Sequence, residues 1–248
     1  MKLAVLLPLL LLASAGQIFA QVPKTSADRG FVPLGLAMNR TTGLIYSVSQ
    51  TEDTLLVRRG GSNAVLATVS VGDHPVAVAV NTRTGLIYVA NQVSHNLTVI
   101  DSNTNAVNST VPLSFSPLNL AINSKTNRIY VVDEAANQIT VLDATNGSSL
   151  ATIPVAAKPM AIVVNARTNR IYVASANGSL VSVIDGDANQ VIASVVVSPN
   201  PIALVVNRRN NVVYVGYYDS NEVSTIDSRS NAVTGSTFLG SSAPATLH

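Results

Sequence analysis

Pro33, Pro75, Pro117, Pro159 and Pro201 follow one another at a constant interval of 42 residues. Tyr46, Tyr88, Tyr130, Tyr172 and Tyr214 keep the same step, as do Asn39, Asn81, Asn123, Asn165 and Asn207. Asp101, Asp143, Asp185 and Asp227 form a fourth register, which Arg59 breaks in the first unit. Three residue types held in phase over five units, with no insertion or deletion, define a repeat architecture. Each unit is then one supersecondary element that buries its faces only against its neighbours.

The unit spanning residues 75–116 shows what that element is. Pro75 suits the first residue of a strand, where a missing N–H does no harm. Val76–Val80 is a continuous apolar run, as a strand buried on both faces requires. The polar turn Asn81-Thr82-Arg83-Thr84-Gly85 leads into Leu86–Ala90, β-branched and aromatic in character. After a loop at 91–96, Leu97–Ile100 gives a third strand ending at Asp101. Asp101-Ser102-Asn103-Thr104-Asn105 is rich in side chains that bond their own backbone in turns. Val107–Leu113 supplies a fourth strand, and Pro112 within it suits an outer edge. Four short antiparallel strands in 42 residues make one β-propeller blade.

The expected fold is therefore all-β: a β-propeller of five four-stranded blades starting near residues 33, 75, 117, 159 and 201, closed into a ring or left incomplete. Five equal blades in a closed ring would each subtend roughly 72°. An incomplete ring would expose two apolar faces and open a route to self-association. The registers have structural explanations. The tyrosine fills the space between blades while its hydroxyl finds a partner, the asparagine caps the first turn, and the aspartate accepts from the N–H groups of the turn after the third strand.

The segment ahead of the repeats reads differently. Lys2, the apolar run Leu3–Leu12 and the small residues of Ala13–Ala20 have the form of a secretory signal peptide over residues 1–20. Its apolar core is too short to span a bilayer, which takes roughly 20 residues, so the mature chain is expected to carry no transmembrane segment. Residues 21–32 form a lead-in, the propeller occupies 33–242, and 243–248 read as the vestigial start of a sixth repeat. With no cysteine in the chain, packing alone must stabilise an exported fold. A net charge of +2 gives no electrostatic footprint for nucleic acid.

Tyr88-Val89-Ala90-Asn91, Tyr130-Val131-Val132-Asp133, Tyr172-Val173-Ala174-Ser175 and Tyr214-Val215-Gly216-Tyr217 are variants of one tetrapeptide. With the P-x-x-x-A-V-N openings and V-I-D endings, they resemble the YVTN-repeat β-propellers over nearly all of the mature chain. The resemblance implies a prokaryotic exported protein, periplasmic, cell-surface or extracellular, in a fold group shared with lactonase-like and quinoprotein-type propellers. It transfers no catalytic residue. Repeat 1 departs from the pattern, with Tyr46-Ser47-Val48-Ser49 and with Arg58-Arg59 in place of the Ile-Asp ending. Five units are also fewer than the seven or so blades common in the family.

Blade topology sorts the charges into two ends. Loops joining strands two and three, and those joining blades, carry Glu52, Asp53, Asp73, Asp133, Glu134, Asp219 and Glu222 against Lys158 alone. The opposite turns carry Arg40, Arg83, Lys125, Arg128, Arg167, Arg170, Arg208 and Arg209, with the repeated aspartates as expected partners. A one-signed surface steers ligands of opposite charge. The candidate binding residues are Glu52, Asp53, Asp73, His74, Asp133, Glu134, Tyr217, Tyr218 and Asp219, with the two tyrosines as exposed anchors. No nucleophile elbow, P-loop or dinucleotide fingerprint is present, and the loops are short. The expected function is a non-catalytic binding scaffold for a protein or other envelope ligand, without a cofactor. The alternative is a lactonase-like or metal-dependent hydrolase using His74 and the surrounding carboxylates.

Overall fold

The computed structural model describes residues 35–239. The expected leader at 1–20, the expected lead-in at 21–32, Pro33 and the expected start of a sixth repeat at 243–248 lie outside them. Twenty strands and no helix form five four-stranded antiparallel sheets among the described residues. Blade 1 comprises β1 (Leu36–Asn39), β2 (Leu44–Ser49), β3 (Thr54–Arg59) and β4 (Val65–Ser70). Blade 2 comprises β5 (Pro75–Asn81), β6 (Leu86–Asn91), β7 (Asn96–Asp101) and β8 (Val107–Pro112). Blade 3 has β9 (Asn119–Asn123), β10 (Arg128–Asp133), β11 (Gln138–Asp143) and β12 (Ser149–Pro154). Blade 4 has β13 (Pro159–Asn165), β14 (Arg170–Ser175), β15 (Leu180–Asp185) and β16 (Gln190–Val196). Blade 5 has β17 (Pro201–Asn207), β18 (Val212–Tyr217), β19 (Glu222–Asp227) and β20 (Ala232–Phe238).

Within each blade the strands pair in sequence order, and the first strands β1, β5, β9, β13 and β17 pack on one another in succession along the inner side. Pro75, Pro159 and Pro201 open their strands, and the ladder skips a residue after each, between Pro75/Ala77, Pro159/Ala161 and Pro201/Ala203. The missing N–H cannot enter the ladder, and an edge strand tolerates the resulting bulge. Pro117 stays outside β9, because Leu118 N reaches back to Val132 O.

Alternate residues of each strand point to the two faces of the blade. The front face of blade 1 (Ala37, Tyr46, Val48, Leu55, Val57) packs on the back of blade 2 (Val78, Val80, Ile87, Val89, Ile100) in one buried cluster. Three further clusters join blades 2–3, 3–4 and 4–5. Each buried aliphatic side chain contributes roughly 1.5–3 kcal/mol relative to exposure, against about 1 kcal/mol for a net hydrogen bond. Apolar contact therefore dominates every junction, and polar bonds set its register.

Those bonds come from the repeated residues. The asparagine register caps the first turn in all five blades: Asn39 accepts from Thr41 N, Asn81 from Arg83 N, Asn123 from Lys125 N, Asn165 from Arg167 N and Asn207 from Arg209 N. The same side chains also cross junctions, with Asn81 Nδ2 donating to Asn127 Oδ1 at 2.8 Å, Asn123 to Asn169 at 2.7 Å and Asn165 to Asn211 at 3.2 Å. Asn127, Asn169 and Asn211 end the turn at φ 55°, 51° and 58°, a left-handed backbone that asparagine tolerates. Gly43 and Gly85 hold that position at φ 69° and 73° and can offer no side-chain acceptor. The aspartate register accepts turn N–H groups as expected, for example Asp101 from Asn103 N at 2.7 Å and Asp227 from Ser230 N at 2.9 Å.

The tyrosine register divides. Tyr46, Tyr88, Tyr130 and Tyr172 are fully buried, but only Tyr88 places its hydroxyl well, donating to Ala144 O at 2.8 Å in the next blade. The hydroxyls of Tyr46, Tyr130 and Tyr172 are buried and meet no partner with good hydrogen-bond geometry among the described residues, contrary to the expectation that each finds one. Tyr214 is only half-buried, with no further blade packed on it among the described residues. The ring is not closed by hydrogen bonds, and no packing comparable to the four junctions joins β17 to β1. Of the two expected arrangements, the described residues adopt the incomplete ring.

Candidate functional site

Antiparallel pairing places the second-to-third-strand loops and the inter-blade connections at one end of the arc, the acidic end. The second-to-third-strand loops are four residues each, at 50–53, 92–95, 134–137, 176–179 and 218–221. The last residues of the first four, Asp53, His95, Asn137 and Ser179, have φ between 46° and 52°. His74, Lys158 and Asn200, which close the inter-blade connections, also take positive φ, at 59°, 59° and 56°. Asp53 and His74 therefore occupy positions defined by turn geometry.

Asp53 Oδ1 accepts from His74 N at 2.8 Å, and Asn137 makes the same bond to Lys158 N at 2.8 Å. The carboxylate thus ties down the inter-blade connection. Asp73 and His74 then meet the next blade through their backbones: Asp73 N donates to Ser94 Oγ at 2.6 Å, and His74 O accepts from Gln92 N at 2.9 Å. Asp133, expected at the surface, is buried. It accepts from Ala136 N and from Gln138 Nε2, both at 3.1 Å. The end of β10 turns this position inward, as the end of β6 does for Asn91, which donates to Asn96 and Thr98.

Tyr217 is the corresponding residue of blade 5. Expected to be exposed, it is buried in the blade 4–5 cluster, and its hydroxyl donates to Ser224 Oγ at 2.8 Å. Tyr218, one position on, is 60% exposed. Asp219 Oδ2 accepts from Asn200 Nδ2 at 2.7 Å. Glu222 accepts from Ser198 and Ser224, and the hydroxyls of Ser236, Ser198 and Ser224 hold its carboxyl below the usual range. Glu52 and Asp73 are exposed and Glu134 is half-buried, and none of these three carboxylates accepts a hydrogen bond among the described residues. The structure thus joins Asp53 to the Asp73–His74 connection through the Asp53 carboxylate and the His74 amide, while Asp133 and Glu134 sit on blade 3 and Tyr217–Asp219 on blade 5.

The opposite end is basic, and among the described residues only one of its arginines, Arg170, is held by a repeated aspartate. Arg170 and Asp185, at 2.5 Å, form the one ion pair among the described residues. Arg83 donates to Lys125 O at 3.2 Å, Arg167 to Arg208 O and Arg209 O at 3.4 Å, and Arg208 to Val164 O at 3.3 Å. Arg128 donates to Gly186 O and to Asn189 Oδ1. Guanidinium groups thus bridge neighbouring blades through carbonyls, and these four arginines form no ion pair among the described residues. The aspartates are instead held below the usual carboxylate range chiefly by backbone N–H groups.

No group of three or more His, Asp or Glu side chains among the described residues comes together as a metal site would require. A cleft of about 150 Å³ lies between blades 2 and 3, lined by Tyr88, Val111, Asp143, Thr145 and Asn146. It is well below the roughly 300–1,000 Å³ of small-molecule sites, and it is not lined by the acidic loops.

No family model matches the sequence, and no curated protein matches it. Among solved structures, hydrazine synthase from Kuenenia stuttgartiensis is similar, with a TM-score of 0.69 and 16% identity over 84% of this chain and 67% of that one. At that identity the likeness is one of fold. No helix of the described residues is long and apolar enough to cross a membrane.

Sequence reasoning missed the acceptors of the asparagine ladder, although Asn127, Asn169 and Asn211 also stand 42 residues apart. That shared phase was the signal. It missed the inward turn of Asp133 and Tyr217 as well; their alignment with Asn91, at the same repeat position, marks both as strand ends and not loop residues.

Proposed function

We propose that this chain is an exported, non-catalytic β-propeller binding scaffold of the YVTN-repeat kind that takes a protein or other envelope ligand at its acidic end. The observation that carries this reading is the division among the loop residues. Asp53, Asp133, Tyr217, Asp219 and Glu222 are held by bonds within the scaffold, which leaves Glu52, Asp73, Glu134 and the exposed Tyr218 to meet a partner. Uncommitted carboxylates at the same end of the arc as an exposed tyrosine fit a cationic protein segment, with charge steering the encounter and the aromatic ring supplying contact area. Four-residue loops favour surface recognition over a walled pocket, since catalytic sites need loops that exclude water. Export rests on the leader-like N-terminus and the family resemblance.

The test is retention of envelope proteins on immobilised mature protein, compared with Tyr218→Ala and with Glu52→Lys/Glu134→Lys. A partner retained by the parent and lost from both variants supports the reading. A stoichiometric divalent ion in the purified protein, lost on His74→Ala, would overturn it in favour of the hydrolase.

A further inference from the structure

Five blades joined by four buried clusters leave two blade faces without a counterpart among the described residues. On the front of blade 5, Ala203, Val205, Tyr214, Gly216 and Val223 stand where blade 4 has Ala161, Val163, Tyr172, Ala174 and Val181. The blade 4 set is buried, whereas each of the blade 5 set is half-exposed. Leu239 is 50% exposed where Val197 is 9%. The amide of Asn207 meets no acceptor among the described residues, unlike those of Asn81, Asn123 and Asn165. Blade 5 thus keeps the features with which earlier blades receive a successor.

The back of blade 1 is the matching surface. Leu36, Met38 and Ile45 take the places of Val78, Val80 and Ile87, and Met38 is 39% exposed where Val80 is 5%. The departures from the repeat fall on both open faces. Ser47, itself buried, and Arg58 replace Val89 and Ile100 on the back of blade 1, and Thr225 and Thr237 replace Val183 and Val195 on the front of blade 5. On each open face a third-strand position has turned polar, Arg58 in β3 and Thr225 in β19.

We propose that the front of blade 5 receives the back of blade 1 from a second copy of this chain, in a fifth junction built like the inner four. Continuity with those junctions selects this occupant. A front-to-front pair would set two tyrosine faces together and offer neither the β-branched back face nor a turn beside Asn207. Gly43 stands where the ladder's acceptor would be, as Gly85 does at the blade 1–2 junction, which packs without that bond. The polar replacements make the contact weaker than the inner ones and reversible. The contact is heterologous, so assembly either closes into a ring or continues head to tail.

A chain without cysteine allows a direct test. Met38→Cys and Val205→Cys mark the two faces at the positions of Val206 and Val163, which share the blade 4–5 cluster. Under mild oxidation, the mixed single variants should give a disulfide-linked dimer that neither gives alone. Sedimentation should show a mass that rises with concentration for the parent and for Tyr218→Arg, but not for Tyr214→Arg. Three results would overturn the proposal: a dimer of Val205→Cys with itself, a disulfide within one chain of the double variant, or a concentration-independent monomer with no cross-link.

Discussion

Asn123 Nδ2 donates to Asn169 Oδ1 at 2.7 Å while Asn123 Oδ1 accepts from Lys125 N at 3.0 Å. One buried amide therefore closes its own turn and fixes the register of blade 3 on blade 4. Asn123→Ala should cost about 1–3 kcal/mol, because it also leaves buried turn groups unpaired. Among the described residues Asn39 makes only the turn bonds, since Gly85 faces it in the ladder, so Asn39→Ala should cost less. Urea unfolding of the two variants checks the order, and equal losses would mean that the inter-blade bond adds nothing.

Tyrosine hydroxyls offer a comparison within one register. Tyr88→Phe removes the bond to Ala144 O and should cost about 1 kcal/mol. Tyr130→Phe removes a buried hydroxyl with no well-placed partner among the described residues, so it should be neutral or stabilising. Burial, aided by the charge of Asp143, pushes Tyr88 up to about 12, and burial raises Tyr46, Tyr130 and Tyr172 as well. A raised folded-state pKa stabilises fully below the unfolded value of about 10 and is lost as pH rises through the folded one. Thermal stability should hold to about pH 10 and then fall, with phenolate absorbance appearing together with unfolding. Ionisation of all four phenols in a still-folded chain would contradict their burial.

The fold was legible because its determinants repeat. Pro75, Tyr88, Asn81 and Asp101 each recur at one phase, and four of the five blades need no other information to be placed. The loop residues were less legible, because a loop position and a strand end look alike in one blade. Asp133 and Glu134 are adjacent acids, yet the end of β10 turns the first inward and leaves the second partly outside. Tyr217 and Tyr218 divide in the same way. Closure could not be read from the sequence, since it depends on the angle between blades and no single residue carries that angle.

The acid limb should report the aspartate register. Backbone N–H groups hold Asp101, Asp143, Asp185 and Asp227 below the usual carboxylate range, with a side-chain bond from Thr145 second for Asp143. A depressed folded-state pKa stabilises above the unfolded value, about 3.9, and is lost as pH falls through the folded values. The urea midpoint should therefore decline as pH drops below about 4, and Asp101→Asn/Asp227→Asn should flatten that decline. Arg59→Asp restores the register in blade 1, where the turn at 60–64 has no such acceptor. It should raise the midpoint at neutral pH and leave it unchanged well below the carboxylate range. A gain that persists in acid would assign the effect to the loss of Arg59.

Tyr217 and Tyr218 separate stability from recognition. Tyr217 lies in the blade 4–5 cluster with its hydroxyl on Ser224, so Tyr217→Phe should cost about 1 kcal/mol of stability without changing which partner is retained. Tyr217→Ala should cost more, about 3–5 kcal/mol, the range for removing a buried aromatic side chain. Tyr218 is exposed and makes no side-chain hydrogen bond among the described residues, so Tyr218→Ala should leave the unfolding midpoint within about 0.5 kcal/mol of the parent. If the acidic end is the recognition surface, that same variant should weaken binding by about 1–2 kcal/mol, as loss of an interfacial tyrosine does. Unfolding and partner affinity measured on both variants form a two-by-two comparison. Loss of stability from Tyr217 alone, with loss of affinity from Tyr218 alone, is the expected pattern. Affinity unchanged in Tyr218→Ala, and unchanged again on reversing Glu52 and Glu134, would leave the acidic end as solvated surface and direct the search to the arginines of the opposite turns.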